Sequence, residues 1–231
     1  MEVAGCVLPE DRLYDLENDV WWADDPESGT ARVGILGTLG AFAGVFRSCS
    51  FRPVEGKVDR GRSIATLESA RFTGAVRMPV DAILVNRNEA VVRTPRLLND
   101  APYAEGWVVR VRPVRPDDPG RLLESAAAIA VRLEERIRAQ RIRCWPRTPD
   151  LEMNEVGLEC SVVFARLDDE LGRRAPGESI LLVTDDPTSP IEIVRWTDRT
   201  GHSVIAHRRE GTLYQFLVRK EADPKPRRPP A

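Results

Sequence analysis

The chain changes rhythm around Pro146 and Pro149. Ahead of these prolines, short apolar stretches alternate with turn residues. Beyond them, apolar residues recur at helical spacing between strand-like runs. Each pattern has to be buried against its own partner layer, so two rhythms imply two cores. The 231 residues allow one large domain or two small ones, and the change of pattern selects two.

The first half, residues 11–116, reads as an all-β domain. Stretches 19–23 and 30–36 flank the turn run Asp24-Asp25-Pro26-Glu27-Ser28-Gly29, a hairpin signal. Glu55-Gly56 and Arg60-Gly61 punctuate the next stretch, and 63–67 and 75–80 flank a short polar tip. Short strands with regular turns predict a barrel or sandwich. A helix follows within a connecting segment, 117–147. Asp118 is its N-cap and Pro119 its first helical residue. Leu122, Ala126, Ile129, Ala130, Leu133 and Ile137 form one apolar face, and the helix ends near Arg143.

Residues 148–220 read differently. A strand at 151–153 leads to a helix at 161–173, and Ala175-Pro176-Gly177 turns the chain into an apolar strand at 179–184. Ser189 and Glu192 form a capping box around Pro190, opening a helix that stops at Gly201. Stretches 202–208 and 212–219 then form a hairpin. The order β-α-β-α-β-β predicts a two-layer α/β sandwich. The tail 221–231, with four prolines among eleven residues, is expected to be disordered.

Composition removes several functional classes. A net charge of −2 gives no global attraction to nucleic acid. Ten arginines against five acids between Trp107 and Arg147 make either a basic docking face or, more commonly for such a stretch, a solvated helix face. No apolar run is long enough to span a bilayer, and residues 1–11 lack the basic and apolar regions of a secretory signal. A cytoplasmic location, away from membranes, is therefore expected. Cys6, Cys49, Cys144 and Cys160 match no zinc spacing and are expected to stay reduced there, with Cys6 in a mobile N-terminus. His202 and His207, without nearby acid or cysteine spacing, do not make a metal site.

Three runs in the first half carry a resemblance: Tyr14-Asp15-Leu16-Glu17-Asn18-Asp19-Val20-Trp21, Leu67-Glu68-Ser69-Ala70-Arg71, and Asn99-Asp100-Ala101-Pro102-Tyr103-Ala104-Glu105-Gly106-Trp107. They resemble the glycine-cleavage H-protein family of lipoyl carriers. Arg71-Phe72-Thr73-Gly74 looks more like the lipoate-binding relatives of bacterial sulfur oxidation. The resemblance implies a lipoyl-type hammerhead, or barrel-sandwich, domain. It also implies an attachment lysine three residues after Glu68, where this chain has Arg71. A guanidinium is delocalised and stays protonated, so it is a poor acyl acceptor. Lipoate is accordingly expected to be absent. Only Lys57, Lys220 and Lys225 stand against 31 arginines, and none lies near the tip. Arg71 is then either drift in an arginine-rich chain or a binder of an anionic partner.

The second half resembles the TusA/SirA family of small sulfur carriers. The residues that carry this are Gly157-Leu158-Glu159-Cys160, Ala175-Pro176-Gly177-Glu178, Thr184-Asp185-Asp186-Pro187, Thr200-Gly201-His202 and Tyr214-Gln215-Phe216-Leu217-Val218-Arg219-Lys220. The family carries sulfur as a persulfide on a cysteine opening the first helix, which is Cys160 here. A helix N-terminus favours an anionic sulfur, and the thiolate is the nucleophile. The family pattern Cys-Pro-x-Pro is replaced by Cys160-Ser161-Val162-Val163. Ser161 can occupy the first helical position and bond the sulfur through its hydroxyl, whereas Glu159 sets a negative charge beside it.

The leading expectation is a sulfur carrier or sulfurtransferase with Cys160 as its reactive residue. Ser161, Arg71 and Glu68 are candidate binding positions. Sulfur donor and acceptor proteins are its expected partners, together with enzymes that recognise lipoyl carriers. The rival is a non-catalytic scaffold or regulator built from two degenerate carrier domains.

Overall fold

The computed structural model describes residues 1–225. Its first unit runs Met1–Thr148 and its second begins at Pro149.

The first unit opens with a small hairpin, β1 (Glu2–Val3) and β2 (Cys6–Val7), then β3 (Leu13–Asp15), β4 (Val20–Asp25) and β5 (Thr30–Ile35). Helix α1 (Gly37–Ala43) precedes β6 (Phe46–Phe51), β7 (Lys57–Val58), β8 (Ser63–Ser69), β9 (Thr73–Arg77) and β10 (Ala82–Arg87). Short helices α2 (Glu89–Arg93) and α3 (Leu97–Asp100) lead to β11 (Trp107–Pro113). The unit ends with α4 (Asp118–Leu122), β12 (Glu124–Ser125) and α5 (Ala126–Ala139).

These strands form a seven-stranded sheet, β12-β3-β4-β5-β11-β10-β7, and a three-stranded sheet, β6-β8-β9. Successive side chains of a strand point to opposite faces, so adjacent Trp21 and Trp22 on β4 enter different cores. Trp22 joins Val33, Ile35, Ile64 and Leu67, from both sheets. Trp21 joins Tyr14, Leu16 and the α5 residues Ala126, Ile129, Leu133 and Ile137. Burying each large aliphatic on α5 is worth roughly 1.5–3 kcal/mol.

The helix expected over 118–143 is two helices. The chain leaves helical geometry at Leu123 (φ −111°, ψ 160°), and Glu124–Ser125 pairs with Tyr14 and Leu13. Ser125 then caps α5, its side chain accepting from the Ala128 amide at 3.3 Å. Leu122 is consequently 39% exposed and outside the apolar face. Helix α5 belongs to the first unit, because its apolar stripe fills that unit's second core. Three short helices, α1 to α3, also interrupt a half that reads as purely β in sequence.

The expectation of four reduced cysteines is corrected. Cys6 and Cys144 form a disulfide, with Cα atoms 5.1 Å apart. The N-terminus is not a mobile arm. The β1–β2 hairpin packs Val3, Cys6 and Leu8 into the core that α5 covers, which brings Cys6 to the segment following that helix. Cys49 and Cys160 are reduced.

The second unit comprises β13 (Leu151–Asn154), α6 (Cys160–Gly172), β14 (Ser179–Thr184), α7 (Ser189–Thr200), β15 (Ser203–Glu210) and β16 (Leu213–Arg219). It is the α/β sandwich expected. The sheet order is β13-β14-β16-β15, with β13 parallel to β14 and the other pairs antiparallel. Phe164, Leu167 and Leu171 from α6, with Ile193 and Trp196 from α7, bury against Ile180, Leu182, Phe216 and Val218. Trp196 Nε1 donates to Asp168 Oδ1 at 2.7 Å and ties the two helices together.

Of the expected disordered tail, 226–231 lies outside the described residues. Glu221 is fixed: it accepts from Ser203 Oγ and from Arg219 Nη2, and its amide donates to His202 Nδ1 at 3.3 Å.

Candidate functional site

The β8–β9 hairpin places Arg71 at its tip, on the bend between Ser69 and Thr73. The tip is held against α1. Ser69 Oγ donates to the Ala43 carbonyl at 2.7 Å, the Arg71 amide meets Ser69 Oγ at 3.3 Å, and Arg71 Nη2 donates to the Ala41 carbonyl at 3.4 Å. A cation over the last carbonyls of a helix is favourably placed. Gly44, in the left-handed region at φ 76°, lies under the guanidinium, and a Cβ there would stand 3.3 Å from Arg71 Nε. Phe72 sets its ring against Phe42 and Phe46, with centroids 6.5 and 6.2 Å away. Glu68 faces elsewhere, accepting from Ser48 Oγ at 3.1 Å.

The run around Asn99 supports this tip from behind. Asn99 Oδ1 accepts from the Phe46 amide at 2.9 Å, and its Nδ2 donates to the Gly44 carbonyl at 2.9 Å. Tyr103 accepts the Gly37 amide at 3.0 Å, and the Pro102 carbonyl accepts from Trp21 Nε1 at 3.1 Å. The motif that carries the first resemblance thus clamps both ends of α1.

The second position is Cys160, the first residue of α6 and half-buried. Glu159 precedes it as N-cap but makes no capping bond through its side chain. The Asp186 carboxylate does that work from the β14–α7 loop. Its Oδ2 accepts the Cys160 amide at 3.1 Å, and its Oδ1 accepts the Thr188 amide at 2.8 Å and the Thr188 hydroxyl at 2.7 Å. The Thr188 hydroxyl and amide, with the Cys160 amide, hold the Asp186 carboxyl below the usual carboxylate range. One carboxylate therefore serves the starts of both helices.

Two hydroxyls reach the sulfur, Thr188 Oγ1 and Ser189 Oγ, each 3.3 Å from Cys160 Sγ. Ser189 is fully buried. The capping-box expectation is corrected on this point: Thr188 is the N-cap of α7, Ser189 is its first residue, and the serine hydroxyl turns to Cys160. The hydroxyls at the sulfur come from α7, while Ser161 is exposed. In the sequence, Asp186 and Thr188 carry no site role and Ser189 only a helix-capping one. Their one legible sign was the Asp186-Pro187-Thr188 spacing, in which an aspartate bonds the backbone two residues on.

Among the described residues, no three or more His, Cys, Asp or Glu side chains gather to hold a metal. No helix among them is long and apolar enough to cross a membrane.

The family model for the glycine cleavage H-protein matches residues 12–135. The chain belongs to the glycine cleavage H-protein family. Glycine cleavage system H protein 5 of Aquifex aeolicus is 35% identical over 146 residues, covering 62% of this chain and 98% of that protein. Probable glycine cleavage system H protein 2 of Sulfurisphaera tokodaii is 30% identical over 143 residues, covering 62% and 96%. A solved glycine cleavage system H protein from Mycobacterium marinum is 25% identical, with a TM-score of 0.48, and covers 55% of this chain and 98% of that one. The model for sulfurtransferase TusA matches residues 152–220. The molecule is thus an H-protein domain followed by a TusA domain. The H-protein family implies lipoate, and the residues at the tip do not suit it: the side chain at 71 has no primary amine, and its guanidinium bonds the Ala41 carbonyl.

Proposed function

We propose that this protein is a sulfur carrier that holds sulfane sulfur as a persulfide on Cys160, and that its H-protein domain docks partners without carrying lipoate. The observation that carries the reading is the placement of Cys160. It opens α6, half-exposed, with two hydroxyls at 3.3 Å from its sulfur. The positive end of a helix and nearby hydroxyls favour an anionic sulfur, although Asp186 takes up the Cys160 amide and Glu159 stands beside it. The thiolate attacks the outer sulfur of a persulfide donor. An S–S bond forms at Cys160, the donor S–S bond breaks, and the electron pair leaves on the donor thiolate.

Its partners are proteins that donate or accept sulfane sulfur, and enzymes that recognise lipoyl carriers. A cytoplasmic location belongs to the same reading. The Cys6–Cys144 bond is then shielded from the thiol pool on one side, because Cys6 is 2% exposed. A second reading, a scaffold built from two retired carriers, is favoured by Arg71 and by the loss of both prolines after Cys160.

Intact mass spectrometry with peptide mapping separates the two. The protein is purified from cells with active lipoylation and treated with polysulfide, alongside Cys160→Ser and Arg71→Lys. The carrier reading expects added sulfur only where Cys160 is present, and no lipoate on the wild type. A wild-type protein that gains no sulfur at Cys160 leaves the scaffold. Lipoate on any wild-type residue overturns the unlipoylated docking role.

A further inference from the structure

Both hydroxyls at Cys160 lie 3.3 Å from its sulfur, but they are not equivalent. A hydroxyl has one proton to give. The Thr188 hydroxyl also lies 2.7 Å from Asp186 Oδ1, and a short bond to a carboxylate is far stronger than a longer one to sulfur. The threonine proton therefore goes mainly to Asp186, which leaves little of it for the sulfur. Among the described residues, Ser189 has no such competitor. It is fully buried and its hydroxyl bonds Cys160 Sγ. A buried hydroxyl without a partner is costly, so its proton has one destination.

We infer that Ser189 is the hydrogen-bond donor to the anionic sulfur of Cys160, and that Asp186 reserves this role for it by engaging the proton of Thr188. The inference rests on the carrier reading for its purpose, though the hydrogen-bond arrangement can be tested apart from it. When the thiol proton leaves, the Ser189 hydroxyl faces the anion. After sulfur transfer, the inner sulfur remains between these groups. Ser189 and the Asp186–Thr188 pair thereby fix the position of the sulfur.

The test is the alkylation rate of Cys160 by iodoacetamide at neutral pH, read by peptide mapping, with thermal melts as the folding control. Iodoacetamide is uncharged and involves no sulfane sulfur. Ser189→Ala is expected to slow alkylation roughly tenfold, the loss of one hydrogen bond to a charged group. Thr188→Val is expected to stay within about twofold of wild type, because its proton is spent on Asp186. In an Asp186→Ala background the threonine proton is released, and Thr188→Val there is expected to slow alkylation by about fivefold or more. Thr188→Ser, which keeps the hydroxyl, should restore the Asp186→Ala rate. A wild-type rate in Ser189→Ala overturns the inference, as does an equal effect of Thr188→Val in both backgrounds. If Ser189→Ala fails to fold, the Thr188 comparison across the two backgrounds decides alone. Should the alkylation pattern hold while polysulfide adds no sulfur, the carrier reading fails and the hydrogen-bond assignment stands.

Discussion

Arg71 shows how one side chain can change the use of a loop while leaving its shape in place. The hairpin tip is fastened to α1 by Ser69, the guanidinium and the Phe72 ring. Two of those three ties do not depend on the arginine. Arg71→Lys is therefore expected to fold normally and to accept lipoate in cells with active lipoylation, seen as the lipoyl mass on the 71-containing peptide; an unmodified lysine would mean that the partner surface has gone too. The two reduced cysteines differ in a comparable way. Burial pushes the Cys49 thiol up to about 12, with Glu89 adding to it, and the side chain is 2% exposed. Native alkylation should label Cys160 and leave Cys49 untouched until the protein unfolds. At His202, burial and then the Lys220 charge lower the imidazole pKa below 6.5, against smaller opposing effects of Asp168 and Glu221. The folded state thus binds its proton at lower pH than the unfolded chain does. The stability linked to this group is complete above the unfolded value and is lost as pH falls from there through the lower folded value. Melting of the second unit should drop as pH falls below about 6.5, and His202→Gln should flatten that slope.

The helices divide by what each borrowed from a distant strand. The periodicity of Ile129, Leu133 and Ile137 exposes α5 in the sequence, because a helix's buried stripe is a local pattern. The break at Leu123 is invisible there. It depends on Glu124–Ser125 meeting Leu13 and Tyr14, over a hundred residues earlier in the chain. Ser125→Ala should lower the melting temperature of the first unit, at a cost of about 1 kcal/mol for the lost cap. The start of α7 departs from its sequence pattern for a different reason. Ser189 and Glu192 have capping-box spacing, but Asp186 already engages Thr188, which shifts the cap back by one residue and points Ser189 at Cys160. Candidate-site legibility was similarly uneven. Cys160 and Arg71 stand in motifs, whereas Asp186, Thr188 and Ser189 acquire meaning only once the β14–α7 loop folds onto the start of α6.

Across the whole molecule, the two rhythms of the sequence became two units with separate cores. No buried core residue of one unit belongs to a core of the other, so two unfolding transitions are expected by calorimetry. Reduction, or the Cys6→Ser and Cys144→Ser pair, should lower only the first transition, by roughly 2–5 kcal/mol for a bond that closes so long a loop. That bond was not legible because its partners stand 138 residues apart, with no motif to join them. It also governs how the chain transmits tension. A pull between the N-terminus and the TusA domain enters at one end, crosses the sulfur–sulfur link, and leaves at the other. Everything between Cys6 and Cys144, with both sheets and α5, hangs from that link as a slack side loop, and an H-protein domain so bypassed can keep its shape while the chain on either side is drawn taut.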